Sequence, residues 1–189
     1  MIKIGILGGI GSGKSYVAKC FGYPVFNADY EVSKLYKKDK RTYNKLKKIL
    51  PKHFQSFPIE KAEVSNAILA NKSNLSKIVK IVHLEIRKKL NNFLKKNQHK
   101  KFVILDIPLL LENKLNKKED ILIFVQSKKI EISKRLKKRN NFNQKLFNKF
   151  KNIQLPLDYK RKKSQFIIKN NFTKKHVMMN VQNILNKIM

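Results

Sequence analysis

Residues 8–15, Gly8-Gly9-Ile10-Gly11-Ser12-Gly13-Lys14-Ser15, follow the pattern G-x-x-x-x-G-K-[ST], a spacing suited to holding the phosphates of a nucleotide. Glycines allow backbone angles that turn successive N–H groups inward, and those groups form a nest for phosphate oxygens. The start of a following helix adds partial positive charge. Lys14 is long enough to reach the β- and γ-phosphates, and the Ser15 hydroxyl is a ligand type for Mg²⁺. Gly9, Ile10, Gly11, Ser12, Gly13, Lys14, Ser15 and Tyr16 are therefore the stretch expected to contact the nucleotide. All six glycines of the chain lie at or before Gly22, so a sequence poor in glycine keeps it around this loop.

Phosphoryl transfer also needs an acceptor hydroxyl, help in removing its proton, and charge to stabilise the transferring group. Asp29, at the polar end of the apolar stretch 24–29, can orient or deprotonate an acceptor. It can equally serve as the N-cap of a helix beginning at Tyr30. Asp106 closes the apolar run 102–106, a place where an aspartate commonly holds Mg²⁺ through water, and the following turn brings Glu112 back toward the strand ends. Both acids can also be plain strand-end and surface carboxylates. Arginine is scarce, 5 residues among 44 bases, so its placement is informative. Arg135 and Arg139, spaced i,i+4 on an expected helix, and Arg161 further on, suit a lid that carries charge onto the phosphoryl group. His83 and Arg87 share a helix face and can meet an anionic or hydroxylated substrate, although a satisfied core histidine is an equal alternative.

The elements that position these groups read as alternating α/β structure. Ile2, Ile4, Ile6 and Leu7 mark a buried strand before the loop, and residues 14–21 mark a helix with Val17, Ala18 and Phe21 inward and Gly22 as its C-cap. Residues 24–29 read as a second strand, reached by a right-handed parallel crossover. Ligand groups then gather at the carboxyl ends of the strands. Residues 30–98 show helical periodicity only. Val32, Leu35 and Tyr36 share a face, as do Leu46, Ile49 and Leu50. A longer stripe runs through Leu75, Ile78, Val79, Val82, Ile86, Leu90, Phe93 and Leu94. The sheet resumes at 102–106 and 121–125, unbroken apolar runs of the kind covered on both faces. Helices are expected at about 128–139 and 143–153. The basic stretch 137–163 reads as a flap with few apolar anchors, 166–170 as the last strand, and 173–188 as a closing amphipathic helix.

The chain has 189 residues, one cysteine (Cys20) and a formal net charge of +32. The length suits one α/β domain with insertions, a lone cysteine fits a reducing cytosol, and no apolar run reaches the length of a membrane span. Thirty-nine lysines spread along the whole chain, with heavy use of Asn, Ile and Phe, read as compositional drift rather than as an evolved polyanion site, which favours arginine. Specific nucleic-acid binding is not expected.

These residues together resemble the dephospho-coenzyme A kinases over most of the chain. The opening loop, Asn27-Ala28-Asp29, Asp106-Ile107-Pro108-Leu109-Leu110-Leu111-Glu112, Lys134-Arg135 with Arg139, Gln154 with Lys160, and Asn170 all match segments of that family. The resemblance implies an α/β, three-layer P-loop kinase fold with a mainly parallel sheet. Its core would lie at about 1–29, 99–136 and 164–189, with a helical substrate-binding insertion at 30–98 and a lid at 137–163. It implies transfer of the ATP γ-phosphoryl group to the 3′-hydroxyl of dephospho-CoA with Mg²⁺, in the cytoplasm, with a monomer favoured. Asp29, Lys14, Arg135 and Arg139 would be catalytic, and Asn170 would join the ATP site. His83, Arg87, Asp106, Pro108, Leu109, Leu110, Glu112 and Arg161 would join Asp29 around the acceptor. The chain departs from the family pattern at Asn27 (an aspartate there), Leu84 (a proline), Ser164-Gln165 (Ala-Asp) and Phe172 (a glycine). Another small-molecule kinase of this fold and a basic nucleic-acid-binding ATPase are the rival readings. Acceptor-dependent phosphoryl transfer separates them.

Overall fold

The computed structural model describes residues 1–139 and 142–189. In chain order its first half contains β1 (Ile2–Leu7), α1 (Lys14–Cys20), β2 (Val25–Asn27), α2 (Ala28–Lys38), α3 (Lys40–Ile49), α4 (Lys61–Ala70) and α5 (Lys72–Lys96). The second half contains β3 (Phe102–Asp106), β4 (Ile121–Gln126), α6 (Lys129–Lys137), α7 (Gln144–Asn152), α8 (Leu157–Lys162), β5 (Phe166–Lys169) and α9 (Lys174–Ile188). The chain divides into two compact units, Met1–Asn27 with Asn97–Asn143 and Phe147–Met189, and Ala28–Lys96 with Gln144–Leu146. No helix among the described residues is long and apolar enough to cross a membrane.

In the first unit the strands pair in parallel in the order β2-β3-β1-β4-β5. Ile4 stands opposite Ile104 of β3 and Ile121 of β4, and Asn27 stands opposite Asp106. The β1–α1–β2 crossover therefore steps over the position that β3 later fills. One face of the sheet (Ile4, Ile6, Ile104, Ile123, Val125 and Ile168) packs on Val17, Ala18 and Phe21 of α1 and on Val177, Val181, Ile184 and Leu185 of α9. On β1 the intervening Gly5 leaves no side chain of its own, and its open side is filled by Leu110 and Leu122. Apolar side chains thus alternate in direction along β1, whose last four residues are buried; β3 and most of β4 are buried on both faces, which is why those two read as unbroken hydrophobic runs.

Two of the boundaries that differ from the sequence expectation bear on the site. The second strand stops at Asn27, where its pairing with β3 runs out at Asp106. Ala28 and Asp29 open α2 instead, a good helix former followed by an acid suited to a first turn. The helix carrying Arg135 ends at Lys137, just past its buried Leu136. Arg139 sits in the turn beyond, its N–H donating to Leu136 O at 3.1 Å. The two arginines are therefore not on one helix.

The second unit is helical, as the periodicity of 30–98 indicates. Its long helix α5 buries Leu75, Ile78, Ile81, Val82, Ile86 and Leu90, and α2, α3 and α4 pack along it. Asp39 caps α3 by accepting from the N–H groups of Arg41 and Thr42, and Glu60 with Glu63 forms a capping box on α4. Glu31 ties Lys34 of α2 to Lys89 of α5, and Glu85 ties Lys45 of α3 to Lys88. The Lys45 bond, helped by Lys88, holds the Glu85 carboxyl below its ordinary range.

The stretch 137–163, which includes Asn140 and Asn141 outside the described residues, contains α7 and α8. Its anchor is polar rather than apolar. Lys160 of α8 is 1% exposed, and its ammonium lies 2.7 Å from Glu112 Oε1 and 3.5 Å from Pro108 O. The same carboxylate oxygen accepts the Leu155 N–H at 2.9 Å. A buried carboxylate that loses its cation is costly. Lys160→Met should lower stability by about 3–5 kcal/mol in urea denaturation, and pairing it with Glu112→Leu should recover much of that loss.

Candidate functional site

The phosphate loop joins β1 to α1 at the carboxyl edge of the sheet, where Leu7, Asp106, Asn27 and Gln126 all end their strands. Gly13 takes left-handed angles (φ 89°) as it starts α1, and a Cβ there would collide with the Asn170 amide. Gly8 has the same requirement from the other side, since its Cβ would stand 2.7 Å from Val125 O. The Lys14 ammonium bends back across the loop, donating to Gly8 O at 3.1 Å and Gly9 O at 2.8 Å. Ser12 O accepts from Asn170 Nδ2 at 2.9 Å and from Ser127 Oγ at 3.0 Å. Ser15 and Tyr16 are exposed on the first turn of α1.

Two further helices lean on the loop. Ile132 and Leu136 of α6 come within 3.0–3.3 Å of where a Gly11 Cβ would stand, and Leu157 of α8 is within 3.5 Å of that on Gly9. From α6 the Arg135 guanidinium rests 4.3 Å from the centroid of the Phe172 ring. Arg139 and Arg161 are exposed, the latter on α8.

Asp106 is 2% exposed, and the Asn27 amide donates to its Oδ2. The bond follows from register, because paired residues on adjacent parallel strands project to the same side. Pro108 and Leu109 are half-buried in the turn that follows. Leu110, expected near substrate, has no exposed surface, and Glu112 is engaged by Lys160, so both serve the core. Asn170 is 4% exposed and has both ends of its amide in use: Nδ2 donates to Ser12 O, while Oδ1 accepts the Phe172 N–H at 2.8 Å. It holds the phosphate loop from behind.

Three expected acceptor residues belong to the second unit. Asp29 is exposed in the first turn of α2, so its place is inside the helix rather than at its N-cap. His83 is half-buried on α5, and Arg87 is exposed one turn later. Burial pushes the His83 imidazole below its ordinary value, with the Arg87 charge adding to the effect.

Sequence reasoning missed two supports. Ser127 is signalled only by a polar residue placed just after an apolar strand. The Arg135–Phe172 stack carries no local signal, because its members are joined only by the fold.

A parallel α/β sheet with this loop, its buried strand-end aspartate and arginine-bearing helices against the loop defines a P-loop kinase. Solved structures agree on the fold. A Thermus thermophilus protein aligns with a TM-score of 0.79 at 24% identity, covering 100% of this chain and 98% of that one. A dephospho-CoA kinase from Campylobacter jejuni aligns at 0.65 and 19%, covering 98% and 96%. Residues 2–176 match the family model for CoaE, dephospho-CoA kinase. A dephospho-CoA kinase of Wolbachia pipientis wMel is 35% identical over 98% of this chain and 97% of its own length, and one from Bacillus anthracis is 31% identical over 98% and 96%. The chain belongs to the dephospho-CoA kinase family.

Two outcomes test this geometry. Asn27→Asp would set a second carboxylate against buried Asp106, so that the pair holds a proton to higher pH than a lone carboxyl does. A group with a raised folded pKa loses its stabilising effect as pH rises through it, at about 1.4 kcal/mol for each tenfold change in proton affinity. Thermal midpoints of nucleotide-free Asn27→Asp should therefore fall between pH 5 and pH 8 relative to the parent chain. His83 behaves oppositely. Its folded pKa is lowered, so the unfolded chain binds the proton first and stability drops as pH falls below the ordinary histidine value. His83→Gln should flatten the decline in thermal midpoint between pH 7 and pH 5.5.

Proposed function

We propose that this chain transfers the γ-phosphoryl group of ATP to the 3′-hydroxyl of dephospho-CoA, giving CoA and ADP. The observation that carries this reading is the combination of the phosphate loop with Asp29 and the Asp106–Glu112 segment in a chain that matches its relatives from end to end. The loop amides bind the phosphates, and Lys14 exchanges its two loop carbonyls for phosphate oxygens when nucleotide enters. Asp29 orients the acceptor hydroxyl and takes its proton. Arg135 and Arg139 bring positive charge to the transferring group, which carries its charge on three equatorial oxygens.

The donor set fits Mg²⁺, a hard cation that keeps several waters and asks for few protein oxygens. Ser15, exposed at the start of α1, and the buried Asp106 through water would hold it. Asn27 takes Oδ2 of Asp106, which leaves Oδ1 for a bound water. When bound, the ion neutralises charge on the phosphates. His83, Arg87, Pro108, Leu109 and Arg161 complete the acceptor side of this reading. We place the reaction in the cytoplasm, a setting in which Cys20, half-buried beside the core, stays reduced, and favour a monomer.

An ADP-release assay with dephospho-CoA against AMP, CMP, shikimate and gluconate tests the acceptor. Turnover is expected with dephospho-CoA; turnover confined to another acceptor would overturn the assignment. Asp29→Asn should lower kcat by about 10²–10⁴-fold with the KM for ATP nearly unchanged. Retained turnover would remove Asp29 from its role as base.

A further inference from the structure

Phe172 stands in a conformation that its side chain disfavours. Its φ of 64° lies in the left-handed region, which glycine enters freely and a bulky residue rarely does. The position is imposed from below: Asn170, pinned to Ser12 O, accepts the Phe172 N–H with its own Oδ1. Glycine would satisfy that backbone with less strain, and glycine is what the family pattern has here. Phenylalanine adds only a ring, so the ring's surroundings say what it does. One edge, Cε1, lies 3.3 Å from where a Cβ on Gly13 would stand, at the junction of the phosphate loop and α1. The Arg135 guanidinium lies over the ring at 4.3 Å.

From these contacts we propose that Phe172 is a positioning residue for Arg135. The ring holds the guanidinium beside the end of the phosphate loop before nucleotide arrives. Arg135 projects from the exposed side of α6 on a side chain with several free torsions. Ordering such a side chain at the moment of binding weakens affinity, and a flat electron-rich ring that orders it beforehand removes part of that cost. Phe172 touches no reacting atom in this scheme; it acts through Arg135. The inference rests on ATP being the nucleotide of this site and on Arg135 meeting it, and is independent of the acceptor.

The experiment is calorimetric titration of the full chain with a non-hydrolysable ATP analogue and Mg²⁺, without acceptor, alongside thermal denaturation. Phe172→Gly should weaken analogue binding by about three- to tenfold while leaving the thermal midpoint equal or higher, since glycine suits the backbone. Phe172→Tyr should restore affinity. In an Arg135→Ala background, Phe172→Gly should cost nothing further. Unchanged affinity in Phe172→Gly, or an equal loss with and without Arg135, overturns the proposal. Because no acceptor is present, failure of the parent chain to phosphorylate dephospho-CoA would strike only the proposed function.

Discussion

A backbone oxygen, that of Ser12, ties the phosphate loop to the rest of the sheet. A loop that turns its N–H groups inward to meet phosphate turns its carbonyls outward, and outward carbonyls in a buried setting need donors. Ser12 O finds two, Ser127 Oγ from the end of β4 and Asn170 Nδ2 from the end of β5. Gly8 O and Gly9 O are met by the Lys14 ammonium. The loop's shape thus depends on β4 and β5 lying in that order beside β1, although their donors come from far along the chain. Local sequence makes the loop possible; the sheet makes it rigid. Rigidity matters because phosphoryl transfer is catalysed mostly by positioning and fixed charge.

Charge is the second constraint. With 44 bases and 12 acids, each acid placed inside the protein has a definite partner to hold. Glu112 fastens α8 through Lys160, Asp120 holds Lys3 of β1 at 2.7 Å, and Asp106 is engaged by an amide instead of a cation. On the helical unit Glu31 and Glu85 each bridge two lysines across α5. Such bridges between part-exposed groups contribute little individually, but they offset like-charge repulsion where helices meet. The lysines that remain are distributed over many elements.

Much of this was legible from residue order alone. β3 and β4 announce themselves as unbroken apolar runs and β1 and β5 as shorter apolar stretches, α9 and α5 by their stripes, and the phosphate loop by spacing. Strand order was not, because β3 enters between β1 and β2 through pairings that no local pattern specifies. The reading of residues 28 and 29 as strand failed for the same reason, since β2 ends where its partner's register ends. Lys160 was recognisable only through family resemblance. Among thirty-nine lysines nothing marks one as buried, and its partner Glu112 lies in another segment. The stretch that looked weakly anchored was therefore held by an ion pair, which hydrophobic patterning cannot reveal.

Four of the departures from the family pattern make contacts that support a neighbour. Asn27 bonds Asp106, Gln165 Oε1 accepts the Leu122 N–H at 2.7 Å, Ser164 Oγ donates to Lys160 O at 2.9 Å, and Phe172 stacks on Arg135. None of these four sits in the phosphate loop, and each makes a contact that supports a neighbour. Lys14, Ser15, Asp29, Asp106 and Arg135, which carry the proposed chemistry, all match the family pattern. The difference has a physical cause. A group that meets a phosphate or a proton must have one charge and one reach, whereas a group behind it need only supply a donor, an acceptor or a flat surface. Several side chains meet that weaker demand, so the supports can change while the groups they hold stay as they are.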